Sequence, residues 1–327
     1  VADPGLHPHT LDGSLTVSLV IPVFDEDEAL LDELVRRLDD VLAALPCRAQ
    51  VVLVDDGSGE PTRRKLRAIA GADGRVTLVR LSRNFGHQPA VAAGLDHARG
   101  EVAVLLDGDL EDPPELIPEL LERWRQGYEV VLAQRRSRHL DPLRRLLFGA
   151  FYKLFELLAD FPVPLQAGIY CLLGGRARRQ LAGLREANRF LPGLRAWVGF
   201  PTTTVSYDRG PRGGGAPKQT LLRLFRYASD AIFSFSYKPL RLSMAFGATV
   251  FVLSSLYAFV LLVLRLLDVN VVSGFTTVAI AIFFFGGAIL MSNGILGEYL
   301  GRIYDEVKRR PLYVVEEVVG DEAAGEP

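Results

Sequence analysis

Only two cysteines, Cys47 and Cys171, occur among the 327 residues. They are too few and too far apart for a disulfide framework or a structural zinc site, and they suit a reducing cytosolic setting. The chain also lacks a surplus of positive charge. A formal net charge of −2 at pH 7 gives no global reason to expect nucleic acid as a partner, because domains that bind it carry a strong basic excess. No Gly-x-Gly-x-x-Gly follows the first strand-like run and no Gly-x-x-x-x-Gly-Lys-Ser/Thr occurs anywhere, so dinucleotide enzymes and P-loop nucleotidases lose their main support. Internal repeats are absent. Residues 1–14 lack the basic segment, apolar stretch and small-residue cleavage site of a signal peptide and are expected to form a disordered leader.

What the chain does have is apolar content, 49% of residues, unevenly placed. Charged residues are dense up to about Lys238, nearly vanish between Leu242 and Leu296, and return from Glu298 onward. This predicts a soluble domain over 15–237, a membrane domain over 238–300 and a tail over 301–327. Two uncharged stretches, Leu242 to Leu264 and Phe275 to Leu296, are long enough at about 1.5 Å per residue to cross a hydrocarbon core of about 30 Å. They predict transmembrane helices near 242–266 and 273–297. A pair of buried soluble helices is the alternative, but neither stretch shows a polar face. Lys238 and Arg241 precede the first stretch and Arg302, Lys308, Arg309 and Arg310 follow the second. The positive-inside rule therefore expects a multi-pass protein of the inner (plasma) membrane with the large domain and both termini in the cytoplasm.

Within the soluble part, Val17-Ser-Leu-Val-Ile-Pro-Val23 reads as a buried strand that delivers the acidic run Asp25-Glu-Asp-Glu28 into a loop. Leu30, Leu31, Leu34, Val35 and Leu38 then recur at helical spacing, and Ala49 to Val54 begins a second strand before Asp55-Asp-Gly-Ser58. The alternation continues through a strand at Val76–Leu81, a helix at Pro89–Ala98, a strand at Glu101–Leu106 and a helix at Pro114–Gln126. Strict strand and helix alternation predicts an α/β fold with a mostly parallel sheet and helices on both faces, in which ligands bind at the carboxyl ends of the strands. Acidic residues stand at three of those ends: Asp25/Glu26, Asp55/Asp56 and Asp107/Asp109.

The segment Leu105-Leu-Asp-Gly-Asp-Leu-Glu-Asp-Pro-Pro-Glu115 is the most informative. Two carboxylates two residues apart at the exit of a buried strand can hold a hard divalent cation that also bridges the oxygens of a diphosphate. An isolated Asp-x-Asp is common in surface loops; this one is third in a series of acidic strand ends. Elsewhere, Gln134-Arg-Arg-Ser-Arg138 and the apolar and aromatic residues that follow Pro142 predict an amphipathic helix near 141–158. It would lie in a membrane interface or pack on the protein surface.

Val20-Ile-Pro-Val-Phe-Asp-Glu26, Leu53-Val-Asp-Asp-Gly-Ser58, Arg83-Asn-Phe-Gly-His87 and Leu106-Asp-Gly-Asp-Leu-Glu-Asp-Pro-Pro114 resemble the successive nucleotide-sugar motifs of family 2 glycosyltransferases. Arg209-Gly-Pro-Arg-Gly-Gly-Gly-Ala-Pro-Lys218, the two apolar stretches, Leu296-Gly-Glu-Tyr-Leu-Gly-Arg-Ile-Tyr304 and Arg310-Pro-Leu-Tyr313 resemble the polyisoprenyl-phosphate branch, which includes dolichol-phosphate mannose synthases and bacterial undecaprenyl-phosphate sugar transferases. The likeness runs from Val17 to about Val319. It implies a GT-A (Rossmann-like) domain and an inverting, metal-dependent transferase. Such an enzyme moves sugar from a UDP- or GDP-sugar to a polyisoprenyl phosphate such as undecaprenyl phosphate, giving a lipid-linked sugar for the cell envelope. Pro22, Phe24, Asp25, Glu26, Asp55, Asp56, Asn84, Gly86 and Asp107 would bind the nucleotide-sugar. Asp107, Asp109 and Glu111 would hold Mg²⁺ or Mn²⁺. Arg135, Arg136, Arg209, Arg212 and Lys218 would meet the acceptor phosphate, with Asp109, Arg212 and Lys218 closest to catalysis. Relatives also suggest a homo-oligomer.

Three positions depart from that pattern. Glu111 replaces a usual Gln, Gly215-Ala-Pro-Lys218 replaces Gly-Glu-Ser-Lys, and Ile169 stands where many relatives place an Asp assigned as a base. A phosphate acceptor with a second pKa of about 6 is already largely ionised at neutral pH, so it can do without a base. Ile169 leaves open a catalytically altered membrane scaffold or lipid-phosphate binder that kept the fold. A processive polysaccharide synthase is disfavoured, because no Gln-x-x-Arg-Trp segment is present and the apolar stretches are too few for a polymer channel.

Overall fold

The computed structural model describes residues 7–135, 167–208, 236–267 and 274–320. Four strands, β1 (Thr16–Val23), β2 (Arg48–Asp55), β3 (Val76–Leu81) and β4 (Val102–Leu105), alternate with α1 (Glu28–Ala43), α2 (Glu60–Ala72) and α3 (His87–His97). β1 pairs in parallel with both β2 and β4, and β2 with β3. The chain therefore steps from β1 outward to β3, then returns to the other side of β1. That reversal makes the gap between the carboxyl ends of β1 and β4 a topological switch point, where open α/β sheets bind ligands.

The helix expected over Pro114–Gln126 divides into a 3-10 turn at Pro114–Leu116 and α4 (Ile117–Arg125). Pro118 lies in the first turn of α4, where its missing N–H costs nothing and its fixed φ favours helix initiation. Then come β5 (Val130–Arg135), β6 (Ala167–Leu173), α5 (Gly175–Gly183), α6 (Leu191–Trp197) and β7 (Thr202–Tyr207). β6 runs antiparallel to both β4 and β5, so the sheet is mixed around a parallel half.

Alternation along the strands builds two cores. Leu19 and Ile21 of β1 face α1, α2 and α4 through Leu31, Leu34, Leu66 and Leu120. Val20 faces the opposite way, into a second cluster with Ala90, Val91 and Leu95 of α3, which also holds Leu191 and Leu194 of α6. Each fully buried aliphatic side chain contributes roughly 1.5–3 kcal/mol. α3 is built from small residues, and a Cβ at Gly94 would stand 2.2 Å from Val20 Cγ1. The helix can lie this close to the sheet only with glycine there, and the close approach brings its first turn to the strand ends.

Two expected ends differ from expectation. His9, expected within a disordered leader, lies against α4: its ring stacks on Trp124 with centroids 4.5 Å apart and its backbone N–H donates to Arg125 O at 2.9 Å. Of the expected tail, residues 301–320 carry the end of α8 (Phe275–Val307) and then β8 (Val315–Val319), which pairs antiparallel with β3 and completes the order β7-β5-β6-β4-β1-β2-β3-β8. β8 covers an edge that would otherwise expose unpaired N–H and C=O groups.

Before α8 stands α7 (Lys238–Leu266). Ser243 Oγ and Ser292 Oγ meet at 2.7 Å between the two helices, and Tyr299 donates to Ser236 O at 2.6 Å. Within α7, Lys238–Leu261 has a mean hydropathy of 2.0 and none of it is buried. Among the described residues it is the one stretch long and apolar enough to cross a membrane. The amphipathic helix expected near 141–158 lies outside the described residues.

Candidate active site

A cleft of about 340 Å³ opens at the switch point between β1 and β4. It gathers Pro22, Phe24, Glu26, Asp56, Asn84, Gly86, Asp107 and Asp109 from four separate strand exits, together with Val23, His87, Ala90 and Gly108. A larger cleft, about 530 Å³, lies beside the end of α8 between Arg185, Arg309 and Tyr313, away from those strand exits. The smaller cleft is therefore the candidate site.

Backbone N–H groups and carboxylates lock the exit loops together. Asp56 accepts from Phe85 N at 2.7 Å and Gly86 N at 2.9 Å, tying the β2 exit to the β3 exit. Burial raises the Asp56 pKa, although those two hydrogen bonds pull it back. Gly57, at φ +77°, would place a Cβ 2.5 Å from the Arg83 carbonyl carbon, so only glycine lets the two loops approach. Asp109 accepts from Glu111 N at 3.0 Å, and the intervening Leu110 has φ 54°. A positive φ at a bulky residue costs on the order of 1–3 kcal/mol and persists only where its surroundings impose it.

His87 opens α3 and its Nε2 stands 2.7 Å from Asp107 Oδ1. Burial lowers its pKa, but the hydrogen bond with Asp107 and the charges of Asp107, Asp56 and Asp109 outweigh that, and the net shift is upward. Glu26 is raised as well, by burial first and then by Asp109, Asp27, Asp107 and Asp25. Crowded carboxylates of this kind are the donor set a hard cation relieves. Among the described residues no three ligating side chains converge closely enough to hold a metal by themselves. Asp107 and Asp109 therefore fit the mode in which one or two carboxylates share a cation with substrate phosphates and water.

Four expected site residues are placed otherwise. Asp55 is fully buried; its Oδ1 accepts from Ser58 N at 2.8 Å and its Oδ2 lies 3.6 Å from Arg80 Nε, so it holds a turn from beneath. Asp25, at φ 50°, accepts from Gly59 N at 2.7 Å and donates its own N–H to Ser58 Oγ at 3.0 Å, joining the β1 and β2 exits. Glu111 is not in the cleft lining, because the turn through Leu110 carries the chain away after its N–H reaches Asp109. Arg135 is committed to the buried Asp112, at 3.0 Å, and to Tyr207 Oη, at 3.0 Å, rather than standing open to an anion. A carboxylate buried as deeply as Asp112 requires a counter-charge. Arg136, Arg209, Arg212 and Lys218 lie outside the described residues.

Of the titratable residues lining the cleft, His87 is the one to which the sequence pattern assigns no role. It closes the Arg83-Asn-Phe-Gly-His87 run, and the available signal was a titratable residue opening a helix directly after a third strand exit.

A sheet that gathers carboxylates over a ligand-sized crevice at its switch point suits a phosphate-bearing ligand held together with a cation. The profile of Glycosyl transferase family 2 matches residues 18–171. An uncharacterized glycosyltransferase of Synechocystis is 39% identical over 94% of this chain and 96% of its own. A prophage-derived bactoprenol glucosyl transferase of Shigella flexneri is 37% identical over 92% of this chain and 97% of its own. A prophage bactoprenol glucosyl transferase homolog of Escherichia coli is 34% identical over 93% and 99%. The chain belongs to glycosyl transferase family 2 and is a transferase. Among solved structures, the glucosyl-3-phosphoglycerate synthase of Mycobacterium tuberculosis in complex with UDP aligns with a TM-score of 0.47 at 17% identity, covering 68% of this chain and 86% of that one.

Proposed function

We propose that the protein is an inverting, metal-dependent glycosyltransferase that moves a sugar from a UDP- or GDP-sugar to a polyisoprenyl phosphate at the cytoplasmic face of a membrane. The convergence of Glu26, Asp56, Asp107 and Asp109 on one cleft at the β1/β4 switch point carries this reading. The names of the bactoprenol glucosyl transferases to which the chain is similar support the acceptor class.

In this reading Phe24, an exposed aromatic ring at the cleft rim, offers its face to the nucleotide base, and Asp56 and Glu26 accept from base or ribose donors. A divalent cation held by Asp107 and Asp109 would neutralise charge developing on the leaving diphosphate. His87 holds Asp107 in one orientation. The phosphate acceptor is its own nucleophile, with its oxygen already ionised, and the sugar inverts on a single displacement. Ile169 is then compatible with activity: its side chain packs on the apolar core and its carbonyl accepts from Arg195 at 3.3 Å. Arg209, Arg212 and Lys218 are assigned to the acceptor phosphate through the family resemblance, Arg by its bidentate geometry. We assign α7 as one membrane span and, from the uncharged run Phe275 to Leu296, the first part of α8 as a second, with both chain ends in the cytoplasm, in the cell inner membrane, and a homo-oligomer as the working assembly.

The test uses the purified full chain with Mn²⁺ or Mg²⁺, undecaprenyl phosphate and a panel of UDP- and GDP-sugars. Formation of a lipid-linked monosaccharide with one donor is the expected result. Lipid-phosphate binding with neither transfer nor donor hydrolysis would establish the scaffold reading, and a long glycan product the polymerase reading.

A further inference from the structure

We infer that Glu316, on the C-terminal strand β8, is a positioning residue for the nucleotide end of the cleft and acts through Arg80 and the buried Asp55; this rests on the donor-site reading above. β8 meets β3 with Arg80 opposite Glu317 and Leu81 opposite Val315, so Glu316 is the extra residue of a β-bulge. Bulges re-aim side chains, and they recur beside functional sites. Here the bulge lets two consecutive carboxylates reach two arginines: Glu317 pairs with Arg67 of α2, and Glu316 Oε2 stands 3.1 Å from Arg80 Nε.

The same Arg80 nitrogen lies 3.6 Å from Asp55 Oδ2, an oxygen with no hydrogen-bond donor among the described residues. Arg80 is therefore the counter-charge for a carboxylate that is fully buried, and Glu316 is its second anchor. From Asp55 the linkage continues into the cleft wall. Asp55 Oδ1 fixes Ser58 N at 2.8 Å, Ser58 Oγ fixes Asp25 N at 3.0 Å, and the loop between them carries Asp56. Releasing one anchor lets the guanidinium shift toward solvent, and the Asp55–Ser58 turn then loses the charge that sets its position. The segment leading into β8 is itself held down, since Tyr313 donates to Asp96 on α3, the helix that presents His87 to the cleft. The chain returning from α8 thus braces two walls of the site.

The full chain in detergent would be compared with Glu316→Ala, Glu316→Gln and Glu317→Ala. The readouts are UDP and GDP affinity with Mn²⁺, KM for lipid phosphate, melting temperature, and amide exchange at Ser58 and Gly59. Glu316→Ala is expected to weaken nucleotide binding about three- to five-fold, the scale of a half-exposed ion pair, with Glu316→Gln in between. KM for lipid phosphate and the melting temperature should hold, and Glu317→Ala should bind nucleotide as the parent does. The effect of Glu316→Ala should vanish in an Asp55→Asn background, because the linkage is already cut there. Unchanged nucleotide affinity and unchanged exchange at Ser58 in Glu316→Ala would overturn the proposal. So would equal losses from Glu316→Ala and Glu317→Ala, which would reduce β8 to simple strand docking. If the parent protein binds neither nucleotide but Ser58 still exchanges faster in Glu316→Ala, the positioning stands and the donor reading falls.

Discussion

His87 Nε2 and Asp107 Oδ1, 2.7 Å apart, join the start of α3 to the turn after β4 across the candidate cleft. The contact exists because Gly94 lets α3 settle onto Val20, carrying the first helical turn to the strand ends. A group that orients a metal-holding carboxylate typically accounts for about 10–100-fold in metal affinity or activity. His87→Ala should therefore lower Mn²⁺ affinity and transfer by that factor while the melting temperature holds. Metal titration of the purified protein checks it; parent-like Mn²⁺ affinity would mean that His87 does not orient the site.

Asp109→Asn keeps shape and removes a ligand charge. Loss of one electrostatic stabiliser of a developing charge costs about 10²–10³-fold in rate, so transfer should fall by at least that much without unfolding, and excess EDTA should silence the parent protein. Full activity in EDTA would end the metal assignment.

Glu26 gives a pH-dependent prediction. Its carboxyl is held above the ordinary glutamate range by burial and then by Asp109, Asp27, Asp107 and Asp25. The folded state thus binds this proton more readily than the unfolded chain, so the stability contributed by Glu26 is greatest below the ordinary range and declines as pH rises through the raised value. Metal-free Glu26→Gln should melt above the parent at neutral pH, with the difference closing as pH drops beneath the ordinary range. Scanning calorimetry across that window decides it, and a gap that widens on acidification would reverse the sign assigned here.

Arg135 and Asp112 form an ion pair in which Asp112 is buried and also accepts a hydrogen bond from the Tyr207 hydroxyl. Removing one member of a buried pair costs about 3–5 kcal/mol because the other charge is left uncompensated. Arg135→Ala should lower the unfolding midpoint markedly and should lose less in an Asp112→Asn background. An Arg135→Ala variant with parent stability and impaired lipid-phosphate affinity would return Arg135 to the acceptor site.

The proposed two-span topology predicts that a cysteine introduced at Val271 is labelled from outside intact cells by a membrane-impermeant thiol reagent. A cysteine at Ser14 should be protected under the same conditions. Labelling at Ser14 would invert the topology.

Much of the architecture is legible along the chain because strand burial writes itself as short apolar runs. Thr16–Val23, Arg48–Asp55 and Val76–Leu81 fall within a residue or two of where the apolar pattern places them. The acidic strand ends are legible for the same reason, since a parallel sheet must release each strand at one edge. β8 was not legible: Val315 to Val319 carries two adjacent glutamates inside a charged segment, and nothing local distinguishes it from a solvated tail. Its partner lies some 240 positions earlier, on β3.

The sequence by itself determined the alternating fold, the apolar stretches, and the residue types that can bind a diphosphate and a cation, because each follows from local periodicity or local chemistry. Only the tertiary structure decided which carboxylates face the cleft and which hold it together. Asp55 and Asp56 are neighbours with the same side chain, yet one is fully buried beneath the turn against Arg80 and the other lines the site. Successive residues leaving a strand point to opposite sides, and burial assigns one of them to an arginine that only the folded sheet brings near.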